Sequence, residues 1–142
     1  MFNSAHFHPM MVHFPIAIIT VGFFADVLGL LIRKEKCLSR MGYWLEVIGM
    51  ITALVAYTTG YFFTTPMDGE AGQMRDQHEF FATLTLIGIF IATMFRILIR
   101  RLKKEDTTLK YLSLILFFIS FVFVSFTGYL GGSLVIDFMI GL

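Results

Sequence analysis

The chain has 142 residues, of which 57% are hydrophobic and 15% charged, and its formal net charge is +1 at pH 7. With a mean hydropathy of +0.79, this composition is typical of an integral membrane protein and leaves no room for a separate soluble domain. The basic residues are spread over short segments without a base-reading motif, which excludes a nucleic-acid-binding protein.

Four stretches are long and apolar enough to cross a membrane as α-helices. They cover roughly residues 10–32, 42–65, 79–99 and 111–131. We therefore predict an all-α integral membrane four-helix bundle that forms a single domain over residues 1–142, and we expect no internal repeat. Such a bundle has membrane lipid as its main partner.

The charged residues predict the orientation of these helices. Lys and Arg mark the cytoplasmic side of a membrane protein, and here they fill the loops after the first and third helices: Arg33, Lys34, Lys36, Arg40, Arg100, Arg101, Lys103, Lys104 and Lys110. We predict a multi-pass protein of a bacterial inner membrane with both termini on the outer, periplasmic side. Arg75 is then the one basic residue on the outer side, together with all four histidines: His6, His8, His13 and His78.

The end of the chain follows a pair of glycines. Gly131 and Gly132 are expected to end the fourth helix, because glycine is a poor helix former. The remaining tail, Ser133–Leu142, is apolar but too short to cross a membrane.

Helical spacing indicates which faces meet inside the bundle. At about 100° per residue, three stripes are formed: Glu46, Gly49, Ala53, Ala56 and Gly60 on the second helix; Gly22, Asp26 and Gly29 on the first; His78, Ala82, Thr85, Ile89, Ala92 and Arg96 on the third. Small residues let membrane helices approach closely, so we predict that these faces form the interior. The same faces suit a homodimer.

Three ionisable residues fall inside the apolar stretches, at similar depth: Asp26, Glu46 and Arg96. Charges in hydrocarbon normally pair within the bundle, which favours a structural ion-pair cluster. A carboxylate that relays protons is the functional alternative.

Two histidines indicate a candidate haem-binding site. His13 lies in the first helix and His78 opens the third, at the same depth. Two imidazoles on separate helices supply the opposed axial ligands of a haem iron, and His8 is a further candidate metal ligand. A histidine that only hydrogen-bonds a carbonyl or water at the interface is the bland alternative.

A haem also needs an apolar slot and a cation for its propionates. Arg75 lies three residues before His78 and is the natural propionate partner, while Gly60 or Gly128 would let the macrocycle approach the backbone. The predicted slot is aromatic: Phe14, Tyr57, Tyr61, Phe62, Phe80, Phe126 and Tyr129.

Copper is a competing metal, because thioether and imidazole groups suit Cu(I). Methionines accompany the histidines on the outer side: Met10, Met11, Met67, Met74 and Met139. Methionine also fills gaps in apolar packing, and its spacing here fits no specific copper motif. Zinc is less suited, since the single cysteine, Cys37, lies on the cytoplasmic side.

The opening segment resembles that of a known family. Residues 8–16 read HPMMVHFPI, which is similar to the HPxxVHFPI opening of the bacterial four-helix membrane family called domain of unknown function 2231. His78 and the closing stretch GYLGGSLV, residues 128–135, extend the resemblance over most of the chain. Members often accompany Rieske or c-type cytochrome modules, which implies a haem-linked or other electron-transfer role.

One position departs from the family pattern. Phe138 stands where many relatives have a histidine, so the resemblance does not imply a second haem here. From the residues and the resemblance together we predict a b-type haem protein that passes electrons between a membrane donor such as quinol and an outer redox partner. The alternative is a non-catalytic module that binds copper or another metal, or that scaffolds a redox complex.

Overall fold

The computed structural model describes residues 7–32, 34–64, 66–103 and 107–138. Some residues named above lie outside these ranges: His6, Arg33, Lys104, and the last four residues of the tail, 139–142. The described chain forms four α-helices: α1 (Phe7–Leu31), α2 (Lys36–Phe63), α3 (Gly69–Arg101) and α4 (Thr107–Phe138). All four are long and apolar enough to cross a membrane, so the predicted all-α membrane bundle is confirmed.

The helices extend beyond the apolar stretches from which they were predicted. α3 begins at Gly69, about ten residues before the predicted span. Its first turn carries Glu70 and its last turn carries Arg100 and Arg101, and each charge has the sign that the helix dipole favours at that end. The prediction that glycines end the fourth helix is wrong, because α4 continues to Phe138.

The helices pack around the bundle in chain order, as two antiparallel hairpins, α1–α2 and α3–α4. The hairpins meet along α1–α4 and α2–α3, so α1 and α3 lie across the bundle from each other. Ile19 of α1, Ile89 of α3 and Phe117 of α4 are completely buried at the centre. Phe23 and Phe121 stack beside them, with ring centroids 4.9 Å apart.

Small residues allow the close approach of α1 and α2. A Cβ at Gly49 would lie 2.8 Å from Ile19 Cγ1, and one at Gly22 would lie 2.9 Å from Leu45 Cβ. Both distances are too short for a real side chain. The stripes predicted on α1, α2 and α3 are therefore interior faces, as their burial also shows: Gly22, Asp26, Glu46, Gly49, Ala53, Ala56, Thr85, Ile89 and Ala92.

The two hairpins share a short sequence motif and one spacing. The sequence Thr-Gly-Tyr occurs near the end of α2 at residues 59–61 and again on α4 at 127–129. His8 precedes Asp26 by 18 residues on α1, and His78 precedes Arg96 by 18 residues on α3. Eighteen residues are five helical turns, so each histidine shares one helix face with its charged partner. The bundle thus has a histidine end and, beyond the charged residues, a basic end.

Candidate functional site

At the histidine end, two imidazoles face each other across the bundle. The ring centroids of His8 and His78 are 6.3 Å apart and the rings are nearly perpendicular, at 81°. Both side chains are partly buried. Because α1 and α3 lie across the bundle from each other, the pair stands between the hairpins rather than within one of them.

Both imidazoles are held through the same ring atom. His78 Nδ1 lies 3.0 Å from the carbonyl oxygen of Thr127, and a carbonyl only accepts, so this Nδ1 carries the proton. His8 Nδ1 lies 3.1 Å from Thr59 Oγ1, whose hydroxyl donates to Ala56 O at 2.8 Å. The hydroxyl proton is thus already used, and His8 Nδ1 donates as well. In both rings Nε2 is left with its lone pair.

Glycines make room for both rings. A Cβ at Gly60 of α2 would lie 2.9 Å from His8 Cε1, and a Cβ at Gly131 of α4 would lie 3.0 Å from His78 Cε1. Gly131 therefore allows the close approach of His78 to α4 and does not end the helix. Gly60 lies beside the pair as predicted, whereas Gly128 faces Ile16 of α1.

The structure places His8, and not His13, opposite His78. His13 is exposed, and its Nδ1 lies 2.7 Å from Pro9 O of its own helix. At about 100° per residue, His13 is rotated by roughly 140° from the face that carries Asp26. The expected meeting of His13 with His78 is therefore wrong. The five-turn spacing from His8 to Asp26 was the signal in the sequence that identifies the partner.

The other predicted site residues are spread around the histidine end. Arg75 Nη2 donates to Thr64 Oγ1 at 3.5 Å, and Tyr57 OH accepts from Thr83 Oγ1 at 3.4 Å. Tyr61 is 76% exposed, so it faces away from the pair. Most of the predicted slot is also exposed, as in an interfacial aromatic belt: Phe14, Phe62, Phe80, Phe126 and Tyr129.

Three charged residues form a cluster on the far side of the hydrophobic centre, as predicted. Arg96 Nη2 donates to Asp26 Oδ1 at 2.6 Å and Nη1 donates to Glu46 Oε2 at 2.6 Å. Nη1 also contacts Asp26 Oδ2. Glu46 is completely buried and Asp26 nearly so. Gly42 makes room for this charged cluster, because a Cβ there would collide with the Asp26 carboxylate.

A cavity of about 810 Å³ opens at the basic end and reaches the charged cluster. Asp26 and Arg96 form part of its wall. Basic side chains contribute much of the remainder: Lys36, Arg40, Arg100 and Lys110. Asp26 and Arg96 thus border a cavity on the side of the cluster that lies away from the histidine end.

Comparison with known proteins agrees with this architecture. Over residues 5–142 the chain matches the family described as "Predicted membrane protein (DUF2231)". No curated protein and no solved structure matches the chain. The family match covers all four helices and assigns no activity.

Proposed function

We propose that this chain, which belongs to the DUF2231 family of predicted membrane proteins, is an electron-transfer protein that binds haem b at the histidine end. His8 and His78 are the proposed axial ligands of the iron. The observation that carries the proposal is the facing pair of imidazoles, 6.3 Å apart, each anchored at Nδ1 with Nε2 left over.

The anchoring resembles the surroundings of metal-bound histidines. A ligating imidazole almost always donates its other ring N–H to a carbonyl, carboxylate or similar acceptor, which fixes the tautomer and the ring orientation. Thr127 O and Thr59 Oγ1 are such acceptors. With metal–nitrogen bonds of about 2.0–2.1 Å, two imidazoles on opposite sides of one metal have centroids roughly 6 Å apart. The separation in the bundle suits that arrangement.

The number of ligands favours haem over a bare ion. Among the described residues, no group of three or more His, Cys, Asp or Glu side chains is placed to hold a metal ion. A zinc site takes three or four protein ligands, whereas a porphyrin supplies the equatorial nitrogens and leaves two axial positions to the protein. Two imidazoles are therefore a sufficient set for haem iron.

The remaining residues fit the same proposal. Gly60 and Gly131 present backbone without side chains beside the two rings, which lets each imidazole lie close against the neighbouring helix. Arg75 lies at the same end for the propionates. A bound haem supplies one-electron chemistry. The chain holds its iron near the histidine end, between a membrane donor such as quinol and a redox partner outside.

The visible spectrum of the purified protein tests this proposal. Protein from haem-sufficient cells should show a reduced-minus-oxidised α band of a b-type cytochrome. His8→Ala and His78→Ala should each abolish the band, because a six-coordinate iron loses one axial ligand. His13→Ala is the matched control and should keep the band, since that ring is exposed and bonded to its own helix.

The same preparation distinguishes the alternatives. A colourless protein would contradict haem binding, and copper in stoichiometric amount would point to the copper-binding alternative. A band that survives in His8→Ala but disappears in His13→Ala would show that the ligand pairing is wrong while haem binding is right.

A further inference from the structure

One carboxylate oxygen of the charged cluster has no partner. Asp26 Oδ1 and Oδ2 and Glu46 Oε2 all accept from the Arg96 guanidinium. Glu46 Oε1 is buried without a hydrogen-bond partner, in a side chain with 0% exposure. A buried polar atom of this kind requires an explanation, because nearly all such atoms are satisfied.

The charge of the cluster supplies the explanation. Two ionised carboxylates and one guanidinium carry a net charge of −1 inside a membrane-spanning bundle, which is costly. A proton on Glu46 makes the cluster neutral. A neutral hydroxyl without an acceptor costs far less in an apolar interior than an ionised oxygen without a donor, so Oε1 is the favoured position of this proton.

The neighbouring groups favour Glu46 over Asp26 as the proton carrier. Arg96 donates to both oxygens of Asp26, and this two-pronged bond stabilises an ionised carboxylate. Arg100, also on α3, is directed to the Tyr43 ring, with Cζ 3.8 Å from the centroid. On the α4 side, Lys110 lines the cavity. Glu46 thus shares a single guanidinium nitrogen with a stronger competitor.

We infer that Glu46 is a proton-exchange site that communicates with the basic end through Asp26 and Arg96, which border the cavity there. The proton leaves Oε1 for water that reaches the charged cluster from the cavity, and the resulting carboxylate then competes with Asp26 for the guanidinium of Arg96. Asp26 and Arg96 both contact the cavity, so the exchange needs no route through the hydrophobic centre. This inference does not depend on haem binding at the histidine end.

Infrared spectroscopy of the purified protein in lipid tests the inference. At neutral pH the wild-type protein should show the C=O stretching band of a protonated carboxyl group. Glu46→Gln should lose the band, because the amide has the same shape and no acidic proton. Asp26→Asn should also lose it, because an ionised Glu46 alone then balances the charge of Arg96, whereas the control Glu79→Gln, which alters an exposed glutamate, should retain it. In D₂O the band should shift promptly, because the cavity reaches Arg96, which donates a hydrogen bond to Glu46.

A second measurement avoids substitution altogether. Labelling glutamate side chains with ¹³C should shift the band, whereas labelling aspartate should leave it in place. The other described glutamates are exposed: Glu35, Glu70 and Glu79. No band at neutral pH, or a band that moves with the aspartate label, would overturn the inference. A band that resists exchange in D₂O would overturn the connection to the cavity.

Discussion

The two hairpins carry the same group at one end of the bundle and opposite groups at the other. At the histidine end, α1 contributes His8 and α3 contributes His78, and the rings face each other. Five turns further along the same faces, α1 contributes Asp26 and α3 contributes Arg96, which bind each other. The corresponding positions of α1 and α3 therefore face each other at two levels of the bundle, as two imidazoles at one level and as an ion pair at the other.

The two pairs differ in their roles: one pair stabilises the bundle, and the other can bind an added component. Arg96 donates to Asp26 and also to Glu46, and these bonds tie the hairpins together. The Nδ1 atoms of His8 and His78 are bonded to Thr59 and Thr127, so the Nε2 atom of each ring remains available. The pair of like groups can therefore bind an added component, whereas the guanidinium of the opposite pair is engaged by carboxylates of the chain itself.

The largest expected effect comes from breaking the opposite pair. Arg96→Met removes the guanidinium and leaves Asp26 and Glu46 without their donor. Breaking a buried pair by removing one partner costs about 3–5 kcal/mol. We expect the free energy of unfolding to fall by that amount, measured by denaturant titration of the protein in micelles with circular dichroism.

Arg101→Met is the control for this prediction. Arg101 occupies the exposed last turn of α3, so its loss should change the free energy of unfolding by no more than about 0.5 kcal/mol. Equal effects of the two substitutions would mean that the charged cluster does not hold the hairpins together.

A smaller effect should distinguish the two halves of the histidine pair. Thr59 holds His8 with its side chain, whereas Thr127 holds His78 with its backbone carbonyl. Thr59→Ala should therefore weaken haem binding about 10- to 100-fold, the usual result of losing a partner behind a metal ligand. Thr127→Ala keeps the carbonyl and should change affinity much less. Titration of the haem-free protein with haem measures both.

The reverse order of affinities would contradict the assignment of Nδ1 partners. Equal losses in the two variants would indicate that the hydroxyl of Thr127 contributes through its contact with Thr85, where the two Oγ1 atoms are 3.2 Å apart. In that case the distinction between side-chain and backbone anchoring would not hold.

Sequence reasoning predicted the helices and the interior faces because both follow from one-dimensional patterns of apolar and small residues. It also predicted the charged cluster, since Asp26, Glu46 and Arg96 are ionisable residues at similar depth inside the apolar stretches. It paired His13 with His78 because it compared depth along the helices and not rotation around them. The prediction of an aromatic slot overlooked rotation in the same way. Aromatic residues such as Tyr61 lie at the expected depth, but their side chains are exposed on the outside of the bundle.

The smallest effects should come from the glycines beside the histidines, and they test the likeness of the two hairpins. Gly60→Ala and Gly131→Ala each place a Cβ about 3 Å from an imidazole carbon, and such crowding costs about 1–3 kcal/mol. Alanine recovers up to about 1 kcal/mol of helix propensity, so the net loss should be about 1 kcal/mol in both variants. A Cβ at Gly132 meets nothing within 4 Å, and Gly132→Ala should therefore gain stability. Matching losses at Gly60 and Gly131, set against that gain, would establish that the two rings are packed alike, whereas a loss in one hairpin alone would restrict the likeness to the sequence.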